Sequence, residues 1–64
     1  MNFLFVGESD YNFDNGHYYK LINIVLDNKV DLYYAILINK HNMVVVIPYK
    51  NIDSFNINWI YKNI

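Results

Sequence analysis

Apolar residues along this chain recur mainly at every second position, in short runs separated by polar pairs and triplets. That is the period of a pleated strand rather than of a helix. The clearest case is residues 30–52, where two β-branched and aromatic runs flank the polar loop Asn39-Lys40-His41-Asn42. The pattern predicts a β-hairpin with strands at 31–38 and 43–47. In the first strand Leu32, Tyr34, Ile36 and Ile38 share one face, and Asp31, Tyr33, Ala35 and Leu37 share the other. The second strand is apolar on both faces, so both must be covered, by the rest of the domain or by a partner. Pro48 has no N–H to give a ladder and is expected to end the strand, with a single turn over residues 49–52.

Residues 3–6 predict a short first strand, followed by a Gly7-Glu8-Ser9-Asp10 loop. Asn15-Gly16 is a hairpin-turn signal, because both residues tolerate positive φ, and it puts Tyr11 and Phe13 on one face of a strand. Residues 18–26 fit two patterns. As a strand, Tyr18, Ile22, Ile24 and Leu26 share a face with Lys20. As a helix, Tyr18, Leu21, Ile22, Val25 and Leu26 form an i, i+3, i+4, i+7, i+8 stripe. The β-branched content and the preceding Asn-Gly favour the strand. Asp27-Asn28-Lys29 supplies a turn, residues 53–57 alternate as a last strand, and Trp59-Ile60-Tyr61 is expected to pack back as a lid. No repeat, linker or composition break divides the chain, so residues 1–64 form a single small domain.

Five or six short strands joined by tight turns predict an all-β fold, a small barrel or meander. The alternative is α+β, with a helix at 18–28 packed on the hairpin. The order of signals resembles an SH3-like barrel: an acidic loop after the first strand, the aromatic pair Tyr33-Tyr34 opening a strand, a tight hairpin, then Val46-Ile47-Pro48-Tyr49-Lys50-Asn51-Ile52, which looks like the Ile-Pro segment whose helical turn leads to the last SH3 strand. The likeness covers roughly residues 30–56. It implies that Tyr33 or Tyr34 and Pro48 line the surface where SH3 domains dock proline-rich peptides. The family's tyrosine three residues after the proline is Asn51 here, and the Ala-Leu-Tyr-Asp-Tyr pattern is absent, so the resemblance carries the barrel further than the ligand. The hairpin ending in Ile-Pro also resembles one in restriction-endonuclease-like nucleases, but the Glu-x-Lys pair that such nucleases need is missing.

Composition shifts the picture from fold to surface. A chain of 64 residues buries only about 60% of its unfolded surface, yet 55% of its residues are hydrophobic and 19% aromatic. Part of that apolar content must be exposed, which points to a protein partner or to self-association as a homodimer. There is no cysteine, so neither a disulfide nor a Cys-type zinc site is available. The opening apolar run lacks a basic flank and stops at Gly7-Glu8, unlike a signal peptide, and no run reaches the roughly 18 apolar residues of a membrane span. The expectation is a soluble, cytoplasmic protein with no membrane contact. Asn, Ile, Tyr, Lys and Phe fill 36 of the 64 positions, with no Arg and one Ala. Their A/T-rich codons suggest an AT-rich genome and fit a small accessory protein of a phage or mobile element that binds and inhibits a host protein.

Net charge is −1. Without a basic groove, the electrostatic part of nucleic-acid affinity is missing, and a nucleic-acid-binding barrel is the runner-up. Glu8, Asp10 and Asp14 form an acidic patch without a cation in residues 1–16. Asp10-x-Asn12-x-Asp14-x-Gly16 also has the alternating oxygens of a calcium loop. Asn15 and Leu21 stand where that loop needs Gly and a bidentate Glu, so an Asx-rich turn without metal is expected and calcium binding is a minor alternative. His17 and His41 lie in turns, and Ser9 and Ser54 lie in no nucleophile motif. No catalytic residue, cofactor or metal site is therefore expected. Tyr33, Tyr34, Pro48, Tyr49, Trp59 and Tyr61 are the candidate partner-binding residues, since tyrosine gives large contact area for little conformational entropy.

Overall fold

The computed structural model describes residues 1–63. The alternating pattern produces five strands: β1 Asn2–Phe5, β2 Tyr18–Asp27, β3 Leu32–Ile38, β4 Val44–Tyr49 and β5 Trp59–Lys62, with one short helix, α1 Ile52–Asn56, before the last strand. They form one antiparallel sheet in the order β4-β3-β2-β1-β5, so the fold is a small all-β one. Residues 18–27 are strand, which excludes the α+β alternative.

The long strand β2 belongs to both halves of the sheet. Its first residues pair with β1, and from Leu21 onward it pairs with β3. A register shift between Leu21 and Asn23 marks the change. A bulge adds a residue and exchanges the two faces. Tyr19 and Leu21 point into the core before it, whereas Ile24 takes the core-side position after it, opposite the buried Ala35.

The core consists of Phe3, Phe5, Phe13, Tyr19, Leu21, Ala35, Leu37, Phe55 and Trp59, with Val45, Ile47 and Tyr49 packed against it. Trp59 is its centre. Its ring lies 4.8 Å from Phe5, 4.8 Å from Phe13 in an edge-to-face contact, and 5.9 Å from Phe55 in a stack. Much of the aromatic content is thus spent inside the domain, where large rings supply buried area that a chain this short cannot get from aliphatic residues alone.

Four local expectations are corrected. Residues 53–57 alternate, but they form α1 and not a strand, because Asn51 caps a helical turn: its side chain accepts from the Ser54 N–H at 2.9 Å, and Ser54 Oγ accepts from the Asn51 N–H at 3.4 Å. Trp59-Ile60-Tyr61 is not a lid but strand β5, paired with β1 in the register Phe5↔Trp59 and Phe3↔Tyr61. Tyr11 and Phe13 are in no strand. Asp10 Oδ1 accepts from the Asn12 and Phe13 N–H groups at 2.8 Å each, an Asx turn that folds the loop 6–17 inward and buries Phe13. Pro48 does not end β4, which runs on to Tyr49. The Asn39 N–H donates to the Met43 carbonyl across the hairpin. Hydrogen-bonded pairs alternate from there, so Leu37↔Val45 and Ala35↔Ile47 exchange bonds while Ile38↔Val44, Ile36↔Val46 and Tyr34↔Pro48 do not. The proline nitrogen therefore faces the free edge of β4, where no ladder bond is lost.

Candidate protein-docking surfaces

Cross-strand partners share a face of the sheet. Opposite the core, the rows Pro48–Tyr34–Val25 and Val46–Ile36 together with Val44 and Ile38 make an apolar patch on the outer face of β3 and β4, bordered on β2 by Asn23 opposite Ile36 and Asp27 opposite Leu32. Val44 is 60% exposed, Val46 55% and Val25 43%, while Tyr34, Ile36 and Ile38 are half-buried among them. The apolar double face of β4 is real, and its inner half, Val45, Ile47 and Tyr49, packs on the core.

The six candidate tyrosine, proline and tryptophan positions separate into four places. Tyr34 and Pro48 lie on the outer face. Tyr33 and Tyr49 are paired neighbours on the opposite, core side, where they line an apolar notch with Ile24, Ile52 and Phe55. Tyr61 is exposed on β5, with its ring 5.5 Å from Phe3. Trp59 is 1% exposed, so it is a core residue that presents nothing to a partner. Alternation could not reveal this, since a lone tryptophan near a chain end fits a strand, a lid or a core equally well.

Tyr49 joins the notch to the core. Its hydroxyl accepts a hydrogen bond from the Trp59 indole N–H at 3.1 Å. Burial pushes the phenol above its ordinary value of 10.0, and the indole bond opposes the rise.

The acidic residues occupy the loop 6–17, which lies across a seam from β4. At one end Tyr49 of β4 is hydrogen-bonded to Trp59 of β5, whose ring packs edge-to-face on Phe13 of the loop. The other is tied by the β3–β4 turn: the Lys40 N–H donates to the Asn12 carbonyl at 2.9 Å, and Lys40 Nζ donates to the Asp10 carbonyl at 2.8 Å and pairs with Asp14 at 2.9 Å. Buried Asn39 organises this turn. Its Oδ1 accepts from the His41 and Met43 N–H groups, and its Nδ2 donates to Asn12 Oδ1. His41 lies over Tyr11, ring centroids 4.6 Å apart, with Nε2 3.0 Å from the Tyr11 carbonyl oxygen. Between the ties the seam opens into a trough of ≈ 540 Å³, with Phe13 and Trp59 beneath, β4 on one wall and Glu8 and Asp10 on the other.

The oxygens of the calcium-like pattern are engaged by protein donors: Asp10 by two backbone N–H groups, Asn12 by Asn39 and Asp14 by Lys40. Among the described residues no group of three His, Cys, Asp or Glu side chains converges, and no helix is long and apolar enough to cross a membrane. Comparison with protein-family models, with curated proteins and with solved structures finds no match for this chain.

Proposed function

We propose that this chain is a small non-enzymatic protein-interaction module whose docking surface is the outer face of β2, β3 and β4. One observation carries the reading: the outward positions from Val25 through Tyr34 and Ile36 to Val44, Val46 and Pro48 form a contiguous apolar patch, with Asn23 and Asp27 only at its β2 border, on a domain with a complete core of its own. A soluble domain keeps such a surface when another protein covers it. The covering protein is a second copy of the chain or a host protein, the latter in keeping with an accessory role in a phage or mobile element. The fold reading extends to an SH3-like barrel, supported by the meander β1 to β4, the helical turn α1 after Pro48 and the return of β5 to the side of β1.

The test is Val46→Lys. The side chain points outward at the free edge, so the melting temperature stays close to that of the parent. Sedimentation equilibrium reads self-association, and affinity capture reads a host partner. Loss of at least about tenfold in affinity by either measure supports the reading. Unchanged association in both, or a salt-sensitive complex with oligonucleotides in their place, overturns it.

A further inference from the structure

The trough between β4 and the loop 6–17 has properties the outer face lacks. It runs along the free edge of β4, and the hairpin register sets what that edge offers. Val44 and Val46 stand at non-hydrogen-bonded positions of the β3–β4 pair, so their N–H and C=O groups point away from β3, those of Val46 into the trough. Unpaired strand edges are templates for an added strand. Most small domains blunt such an edge, and Pro48 does so at one end. The ties at Lys40 and at Tyr49 then restrict the open edge to the residues between Val44 and Pro48, about 13 Å of strand. A whole sheet cannot enter so short a window, whereas a single extended segment fits it.

The opposite wall decides the charge of that segment. The ion pair among the described residues is Lys40–Asp14, which leaves the carboxylates of Glu8 and Asp10 on the wall without a salt-bridge partner. Asp10 Oδ1 is held by its Asx turn, so the acid is fixed in place. Phe13 and Trp59 close the floor as buried rings, so the apolar side chains open to a segment are Val45, Ile47 and Pro48 of the β4 wall. Backbone donors and acceptors with apolar side chains on the β4 wall and carboxylates opposite complement an extended peptide in which apolar residues alternate with lysine or arginine.

We propose that the seam binds such a cationic, extended peptide segment of a partner protein, added as a strand to the edge of β4 and held by Glu8 and Asp10. The seam meets the outer face along β4, where Val46 and Pro48 border both, but the inference rests on the strand edge and the loop carboxylates and does not depend on the outer face.

The probe is a display library of randomised linear peptides selected on the intact protein. Enriched peptides are expected to alternate apolar residues with Lys or Arg, and to shift the amide signal of Val46 and the indole signal of Trp59 in heteronuclear NMR spectra. Glu8→Gln with Asp10→Asn, which keeps the Asx-turn acceptor, weakens those peptides by about tenfold or more. Val46→Pro, which removes the edge N–H, does the same, while Val25→Ser on the outer face leaves binding unchanged. If Val46→Pro fails to fold, the carboxylate variant alone decides. Failure to enrich any peptide, equal binding by the carboxylate variant, or loss of binding only with Val25→Ser overturns the proposal. The last result would move the peptide to the outer face.

Discussion

At the scale of single residues, the fold depends on a few positions where no other side chain serves. A Cβ on Gly7 would stand 2.8 Å from both Asn58 Oδ1 and the Phe5 ring, and one of these contacts is in the core. Gly7→Ala is therefore expected to cost about 1–3 kcal/mol by overpacking. Gly16 has open space around its Cβ position but a φ of +83°, so Gly16→Ala is limited to the strain of the left-handed region, about 1 kcal/mol. Urea unfolding of the two variants checks the order. Asn39, 4% exposed, satisfies two N–H groups of the β3–β4 turn and ties it to Asn12. Asn39→Ala strands these partners and should cost about 1–3 kcal/mol in the same measurement. Tyr49 gives a pH signature. Burial raises its folded-state pKa above the unfolded value of 10.0, so the folded state resists ionisation that the unfolded chain undergoes. Its contribution is fully present below about pH 10 and is lost as the pH climbs through the raised folded value. The melting temperature should fall over that range, and by less in Tyr49→Phe. Of these roles only the positive φ of Gly16 was legible in the sequence, from Asn15-Gly16. Asn39 is one of 11 asparagines with nothing to set it apart, and Trp59 and Tyr49 took core positions that alternation cannot distinguish from surface ones.

At the scale of elements, the strands were legible because a period of two survives wherever one face is buried. β1, β2, β3 and the β3–β4 hairpin stand within a residue or two of their expected bounds. Asp53-Ser54-Phe55-Asn56-Ile57 misled because a helical turn that buries only Phe55 needs no 3.6-residue stripe. The available signal was Asn51 with Ser54 three residues on, an N-cap pairing that competes with strand. Asn51→Ala should destabilise the domain by about 1 kcal/mol in thermal melts, because α1 carries Phe55 into the ring cluster around Trp59. Pro48 misled for another reason. Whether a strand tolerates proline depends on edge position and on the parity of the ladder, and both are set by the assembled sheet.

At the scale of the whole molecule, the extents are 33 × 22 × 22 Å, and one face of the β2–β3–β4 half of the sheet has no partner among the described residues. The sequence already required surplus apolar surface, because so short a chain cannot enclose 55% hydrophobic residues. Where the surplus lies was only partly legible: alternation did not say which of Tyr33, Tyr34 and Tyr49 faces outward, and the register puts Tyr34 beside Pro48 on the face away from Ala35 and Leu37, with Tyr33 and Tyr49 on the core side. The central claim is that protein docks on this outer face. Its most direct test is a photo-cross-linking residue at Ile36, mid-face, in cells that naturally make the protein. The account predicts a discrete adduct with a second copy or with one other protein, lost when Val46→Lys is added. An adduct that survives Val46→Lys, or none at Ile36 where the same probe at exposed Ile60 on β5 gives one, would contradict it.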